Sequence, residues 1–120
     1  MTSQPLALLI EDDPDLITIF SMALEDAGFL IESISEGDAA LARLGDVIPS
    51  VVVLDLHLPN VSGTFILDSI RADERLSATR VIIVSADPQL AESVSGEADL
   101  VLVKPISFNQ LRDLAHRLIR

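Results

Sequence analysis

Five short strand-like runs, at residues 6–10, 29–33, 51–54, 81–84 and 100–103, recur along the chain with segments of helical spacing between and after them. Most of these runs are continuously apolar rather than alternating. Continuous hydrophobicity over four or five residues marks a strand covered on both faces, because an antiparallel strand with one wet face alternates. Buried strands that alternate with helices leave few architectures open. Parallel strands joined by right-handed crossovers, with helices on both sides of the sheet, satisfy the pattern. The expected fold class is therefore α/β, a doubly wound five-stranded parallel sheet flanked by five helices.

The intervals support this. Asp13 stands where a helix cap belongs and Pro14 where a first helical residue does, and Leu16, Ile17, Phe20, Ala23, Leu24 and Ala27 then follow at helical spacing until Gly28. Further helices are expected over 38–44, 64–72, near 90–94, and from about 108 to 119. Gly45 and Pro49 punctuate the second helix and the third strand. The chain has 120 residues, 49% of them hydrophobic and 22% charged, so one domain over 1–120 with its own core is expected.

Composition also removes function classes. There is no cysteine, which excludes disulfides, thiolate chemistry and cysteine-ligated metals and agrees with a reducing compartment, here expected to be the cytoplasm. Eight Lys and Arg against nineteen Asp and Glu give a formal charge of −11. Such a field repels nucleic acid and anionic membranes, so no direct nucleic-acid contact is expected. No apolar run is long enough to span a bilayer, and residues 1–10 lack the basic start of a secretory leader and read as a first strand.

In an open parallel sheet the functional crevice lies beyond the carboxyl ends of the strands. The residues that end or directly follow the apolar runs are Glu11 and Asp12, Asp55, Ser85, and Lys104. Crowded carboxylates repel unless a cation or protons neutralise them, and hard oxygen ligands with room for water suit Mg²⁺. The two histidines, His57 and His116, lie far apart in the pattern, so a zinc site is poorly supported. A carboxylate beside Mg²⁺ acts as a nucleophile toward a phosphoryl group when metal and ammonium neutralise the transferring oxygens. Asp55 is the expected nucleophile, Lys104 the ammonium, and Ser85 a hydroxyl donor to a phosphoryl oxygen. Taken singly, each residue has a plainer reading: Asp13 as a cap, Glu11 and Asp12 as solvated loop acids, Ser85 as a satisfied strand-end hydroxyl, Lys104 as surface charge, His116 as a helix-surface residue. Their joint placement at four strand ends carries the functional reading.

At this point the residues resemble the receiver domain of bacterial response regulators over almost the whole chain. The matching segments are LLIEDDPD at 8–15, VVVLDLHLPNVSG at 51–63, VIIVSA at 81–86 and LVKP at 102–105. The resemblance implies a flavodoxin-like strand order 2-1-3-4-5, with Asp55 as the phosphorylated aspartate and Asp12 a direct Mg²⁺ ligand. It also implies Glu11 acting mainly through water, the backbone carbonyl of His57 as the third protein ligand, Ser85 as the switch hydroxyl and Lys104 as the lysine of the site. Pro59 and Gly63 match the turn after the acceptor, and the Lys104–Pro105 bond is expected to be cis. The implied partners are a histidine kinase or histidine phosphotransfer protein and a downstream protein.

Two departures from the family pattern bear on output. Val101 stands where an aromatic switch residue is usual, and the stretch from Ser85 to Lys104 is short by nearly one helical turn, which should truncate the fourth helix. That stretch carries Asp87, Glu92, Glu97 and Asp99 with no Lys or Arg before Lys104, so symmetric pairing through it is expected to be opposed by like charge. A haloacid-dehalogenase-like phosphohydrolase fits less well, because His57 stands where its second aspartate would be and the acidic pair comes first. A receiver-like interaction module without phosphorylation is the other alternative, although every expected site residue is present.

Overall fold

The computed structural model describes residues 4–119. Its strands are β1 (Leu6–Ile10), β2 (Leu30–Ile34), β3 (Val51–Asp55), β4 (Arg80–Ser85) and β5 (Leu100–Val103). Its helices are α1 (Pro14–Asp26), α2 (Gly37–Leu44), α3 (Gly63–Ala72), α4 (Pro88–Ser93) and α5 (Phe108–Leu118). The strands form one parallel sheet in the order β2-β1-β3-β4-β5, as expected. The Lys104–Pro105 bond is cis.

Successive side chains of a strand point to opposite faces, so the two faces collect separate cores. Leu9, Val53 and Ile82 pack with Phe20 and Leu24 of α1 and Leu111 of α5 on one side. Leu8, Leu54 and Ile83 pack with Leu44 of α2 and Ile66 and Ile70 of α3 on the other. All five residues of β3 are buried, which places its C-terminal Asp55 at the centre of the upper sheet edge.

Most boundaries move by a residue or two from those expected, and two differences have a clear local cause. The second strand starts at Leu30 rather than 29 because Phe29 closes α1: its N–H donates to the Leu24 carbonyl at 3.1 Å while Gly28 N–H donates to Glu25 at 3.0 Å. With Gly28 at φ 106°, this is a Schellman ending. A one-turn 3₁₀ helix at Glu74–Leu76 was not anticipated. Asp73 caps it by accepting from Arg75 N–H, and its Leu76 is buried in the second core.

Helix α4 has only six residues, in line with the short segment. The expectation that Asp99 adds to an unneutralised acidic face is corrected, because it is paired from outside the segment. Its Oδ2 accepts from Val81 N–H at 2.7 Å and Arg71 Nη2 at 3.0 Å, and its Oδ1 from Arg80 Nη1 at 3.2 Å. Burial raises the Asp99 carboxyl, but these donors outweigh it and hold the group below the usual carboxylate range. Arg71 also donates to the carbonyls of Glu97 at 2.7 Å and Thr79 at 3.1 Å, so α3 fastens the base of the α4–β5 connection.

Gly63 is where the fold least tolerates a side chain. A Cβ there would lie 2.6 Å from the Asp55 carbonyl oxygen and 2.5 Å from Leu56 Cα, both backbone atoms that cannot swing aside. Gly63→Ala is therefore expected to destabilise by about 1–3 kcal/mol, the usual range for overpacking a tight site. It should also displace the segment that follows Asp55. A urea midpoint equal to the parent's would contradict this.

Candidate functional site

The crossover after β1 runs to β2 and the one after β3 runs to β4, in opposite directions along the sheet, so a crevice opens between β1 and β3 beyond their carboxyl ends. Glu11 and Asp12 directly follow β1, and Asp55 ends β3. One carboxylate oxygen from each lies within 4.8 Å of the others, with Glu11 and Asp55 buried and Asp12 exposed. Asp13 takes no place among them. Its Oδ1 accepts from the Asp15 and Leu16 N–H groups and caps α1, as its position before Pro14 foretold.

Lys104 reaches this cluster from the end of β5. Its Nζ is 3.2 Å from Asp55 Oδ2 and 3.4 Å from Glu11 Oε1. The strand end is held by Lys104 N–H donating to the Ser85 carbonyl at 2.8 Å. Burial works against the ammonium, but the Asp55 and Glu11 charges outweigh it and raise the Lys104 pKa. It is the only lysine of the chain, and the cluster around it is otherwise anionic.

The remaining expected residues are placed as follows. Asp55 Oδ1 accepts the His57 backbone N–H at 2.9 Å, and the His57 side chain is exposed. Ser85 is fully buried at the end of β4, one residue beyond the Val84 that pairs with Asp55. Its hydroxyl is engaged with Asp87: it donates to the Asp87 carbonyl at 3.3 Å and accepts from the Asp87 N–H at 3.0 Å. That engagement escaped the sequence reading, although a serine followed two residues later by a capping Asp-Pro pair is the local signal for such a turn. His116 is distant from the cluster, its Nδ1 standing 3.3 Å from the Ala27 carbonyl.

Glu11 carries the electrostatic strain. Its Oε2 accepts from the Asp12 and Asp13 N–H groups at 3.2 and 3.3 Å, but its Oε1 is buried with no hydrogen-bond partner. Burial first, then the adjoining Asp55 carboxylate, push its pKa up to about 7. A buried carboxylate oxygen with no hydrogen bond, met only by Lys104 at 3.4 Å, beside two further carboxylates, one open to solvent, fits a hard divalent cation such as Mg²⁺.

A pH prediction follows from linkage. A carboxyl raised from 4.5 to about 7 binds its proton more tightly in the folded protein. Its contribution to stability is complete below the lower value and is lost as pH rises through the upper one, a change of about 3 kcal/mol. The metal-free parent should therefore lose stability relative to Glu11→Gln between roughly pH 5 and pH 8, and millimolar Mg²⁺ should restore it. Parallel urea midpoints for the two proteins across that interval would refute the assignment.

The family described as response regulator receiver domain matches residues 7–116. The probable methanogenesis regulatory protein FilR2 of Methanothrix harundinacea is 35% identical over 118 residues, covering 89% of this chain and 76% of FilR2. The DNA-binding dual master transcriptional regulator RpaA of Synechocystis is 30% identical over 119 residues, covering 97% of this chain, which spans about half (49%) of RpaA. Among solved structures, a response regulator receiver domain from Methylobacillus flagellatus superposes with a TM-score of 0.85 at 26% identity, covering 97% of this chain and 99% of that one. No helix among the described residues is long and apolar enough to cross a membrane.

Proposed function

The chain belongs to the response regulator receiver family, and from that premise we propose that it takes a phosphoryl group on Asp55 from a phosphohistidine of a histidine kinase or histidine phosphotransfer protein. The observation that carries this reading is the buried Asp55 carboxylate with Lys104 Nζ at 3.2 Å and oxygens of Glu11 and Asp12 within 4.8 Å. In the reaction an Asp55 carboxylate oxygen forms the new O–P bond as the P–N bond to the donor imidazole breaks, and the bond's electron pair leaves with the imidazole nitrogen. The His57 N–H on Oδ1 fixes the carboxylate plane. Lys104, already at Oδ2, is within a short swing of the incoming phosphoryl oxygens and neutralises their charge.

Glu11, Asp12, Asp55 and the backbone carbonyl of His57 are the groups proposed to hold Mg²⁺. When bound, the metal supplies the positive charge that draws carboxylate and phosphoryl oxygens together. Ser85 is the hydroxyl proposed to read the phosphoryl group. The domain passes the signal to a downstream protein by a change of shape. With eleven negative charges in excess it makes no nucleic-acid contact of its own, and the cytoplasm is its proposed compartment.

Incubation with a small phosphodonor, with and without Mg²⁺, followed by intact mass, tests the reading. One phosphoryl group per chain, gained only with the metal, is the expected result. Continuous turnover of the donor as a phosphate ester without accumulation would favour a hydrolase, and a folded protein that gains no mass would favour a phosphorylation-independent interaction module.

A further inference from the structure

Resting on the reading that the His57 carbonyl is a metal ligand, we propose that Gly37, the first residue of α2, is a positioning residue for the metal site. Its missing side chain leaves the space in which Val61 holds the loop that carries that carbonyl. A Cβ at Gly37 would stand 2.6 Å from Val61 Cβ and 3.3 Å from each of its methyl carbons. A Cβ is fixed by its own backbone, so no change of rotamer relieves that contact. Gly37 is buried and Val61 half-buried. Helix α2 thus meets the loop between β3 and α3 with no room for one more methyl group.

The contact joins the two sides of the acidic cluster outside the sheet itself. Glu11 and Asp12 belong to the β1 side, Asp55 and the His57 carbonyl to the β3 side. The β1 side is tied to the end of β2, where Glu11 N–H donates to the Ile34 carbonyl at 3.1 Å, and Gly37 follows three residues later. On the β3 side the loop closes on itself: Gly63 N–H donates to the Leu56 carbonyl at 3.2 Å and Val61 N–H to the Pro59 carbonyl at 2.8 Å. Between them Asn60 takes a φ of 72°. A push on Val61 is therefore passed along a short, closed loop to His57.

A methyl group added at position 37 must displace one partner, and the loop is the softer of the two. Helix α2 is anchored by Ala40 and Leu44 in the second core, and Arg75 Nη2 holds its Leu44 carbonyl at 3.3 Å. The loop exposes His57, Pro59, Asn60 and Ser62. It cannot retreat at its far end, where Gly63 already lies too close to the Leu56 backbone for a Cβ. Carbons 2.6 Å apart must part by about 1 Å to reach ordinary contact, so the shift falls on residues 57–61. Mg²⁺ demands near-ideal octahedral geometry, whereas Ca²⁺ accepts a flexible shell. Displacing the loop therefore weakens Mg²⁺ more than Ca²⁺.

The test is titration of the unmodified protein with Mg²⁺ and with Ca²⁺, read from the amide NMR shifts of residues 11–12 and 55–58. Gly37→Ala is expected to bind Mg²⁺ about tenfold more weakly, the usual loss when a ligand's support is disturbed, and to lose less for Ca²⁺. Val61→Gly removes the obstructing carbon, so in its background Gly37→Ala should change Mg²⁺ affinity by less than about twofold. Gly45→Ala, at the other end of α2 where a Cβ meets only the Ala42 carbonyl at 3.3 Å, should leave it unchanged. A folded Gly37→Ala protein with the parent's Mg²⁺ affinity overturns the proposal, as do equal losses for the two metals or the same tenfold loss in the Val61→Gly background. If Gly37→Ala does not fold, Val61→Gly decides alone: severalfold weaker Mg²⁺ binding supports the proposal and the parent's affinity overturns it. If the parent itself shows no Mg²⁺-dependent shifts, the metal reading has failed and this positioning falls with it.

Discussion

Asp55→Asn is expected to gain no phosphoryl mass under conditions that label the parent to one group per chain. The amide keeps the volume of the carboxylate and its oxygen still accepts the His57 N–H, so the local fold has no reason to change. What disappears is the anionic oxygen that forms the bond to phosphorus. The substitution also removes one of two buried, adjoining carboxylates, leaving Lys104 to pair with Glu11 alone at 3.4 Å. Relief of that repulsion should leave the variant at least as stable as the parent near neutral pH. Intact mass and a urea midpoint on the same sample check both parts. Stoichiometric labelling of a folded Asp55→Asn protein would remove Asp55 from the role given to it.

Lys104→Ala is expected to lower stability by about 3 kcal/mol at neutral pH without metal, the lower end of the range for removing one partner of a buried ion pair. The lower end applies because the lysine side chain is 21% exposed, while those of Glu11 and Asp55 are 0% and 3%. No other cation reaches the cluster among the described residues, so Glu11 and Asp55 would share one buried site with only a bound proton to neutralise them. Lower pH or added Mg²⁺ should each recover much of the loss by supplying a proton or a charge. The sequence gives Lys104 a role toward the transferring phosphoryl oxygens. Its two ion pairs give it a part also in holding the unmodified site together. A metal-free Lys104→Ala protein with the parent's midpoint at neutral pH would contradict this.

The fold was legible because strands buried on both faces carry an unbroken apolar signal. Val51 to Leu54 and Val81 to Val84 contain nothing else. The candidate site was legible for a related reason: a parallel sheet collects at one edge whatever follows each such run, so Glu11, Asp55, Ser85 and Lys104 could be grouped before any coordinate was known. Contacts set by long side chains and by local turns were not. Nothing in the order of residues says that Arg71 will cross 28 positions to Asp99, because an arginine's reach is decided by where two helices and a strand come to lie. Likewise the tie between Ser85 and Asp87 competes with other turns open to the same residues, and only the end of β4 selects it.

The most direct test of the account is to label the protein with a small phosphodonor and Mg²⁺, reduce it with borohydride, and map the product by peptide sequencing in the mass spectrometer. Reduction turns an aspartyl phosphate into homoserine and leaves free carboxylates alone. The account predicts homoserine at position 55 and nowhere else, absent when Mg²⁺ is withheld. Homoserine at Asp12 or another acid, or none in a protein that remains folded and metal-bound, would contradict it.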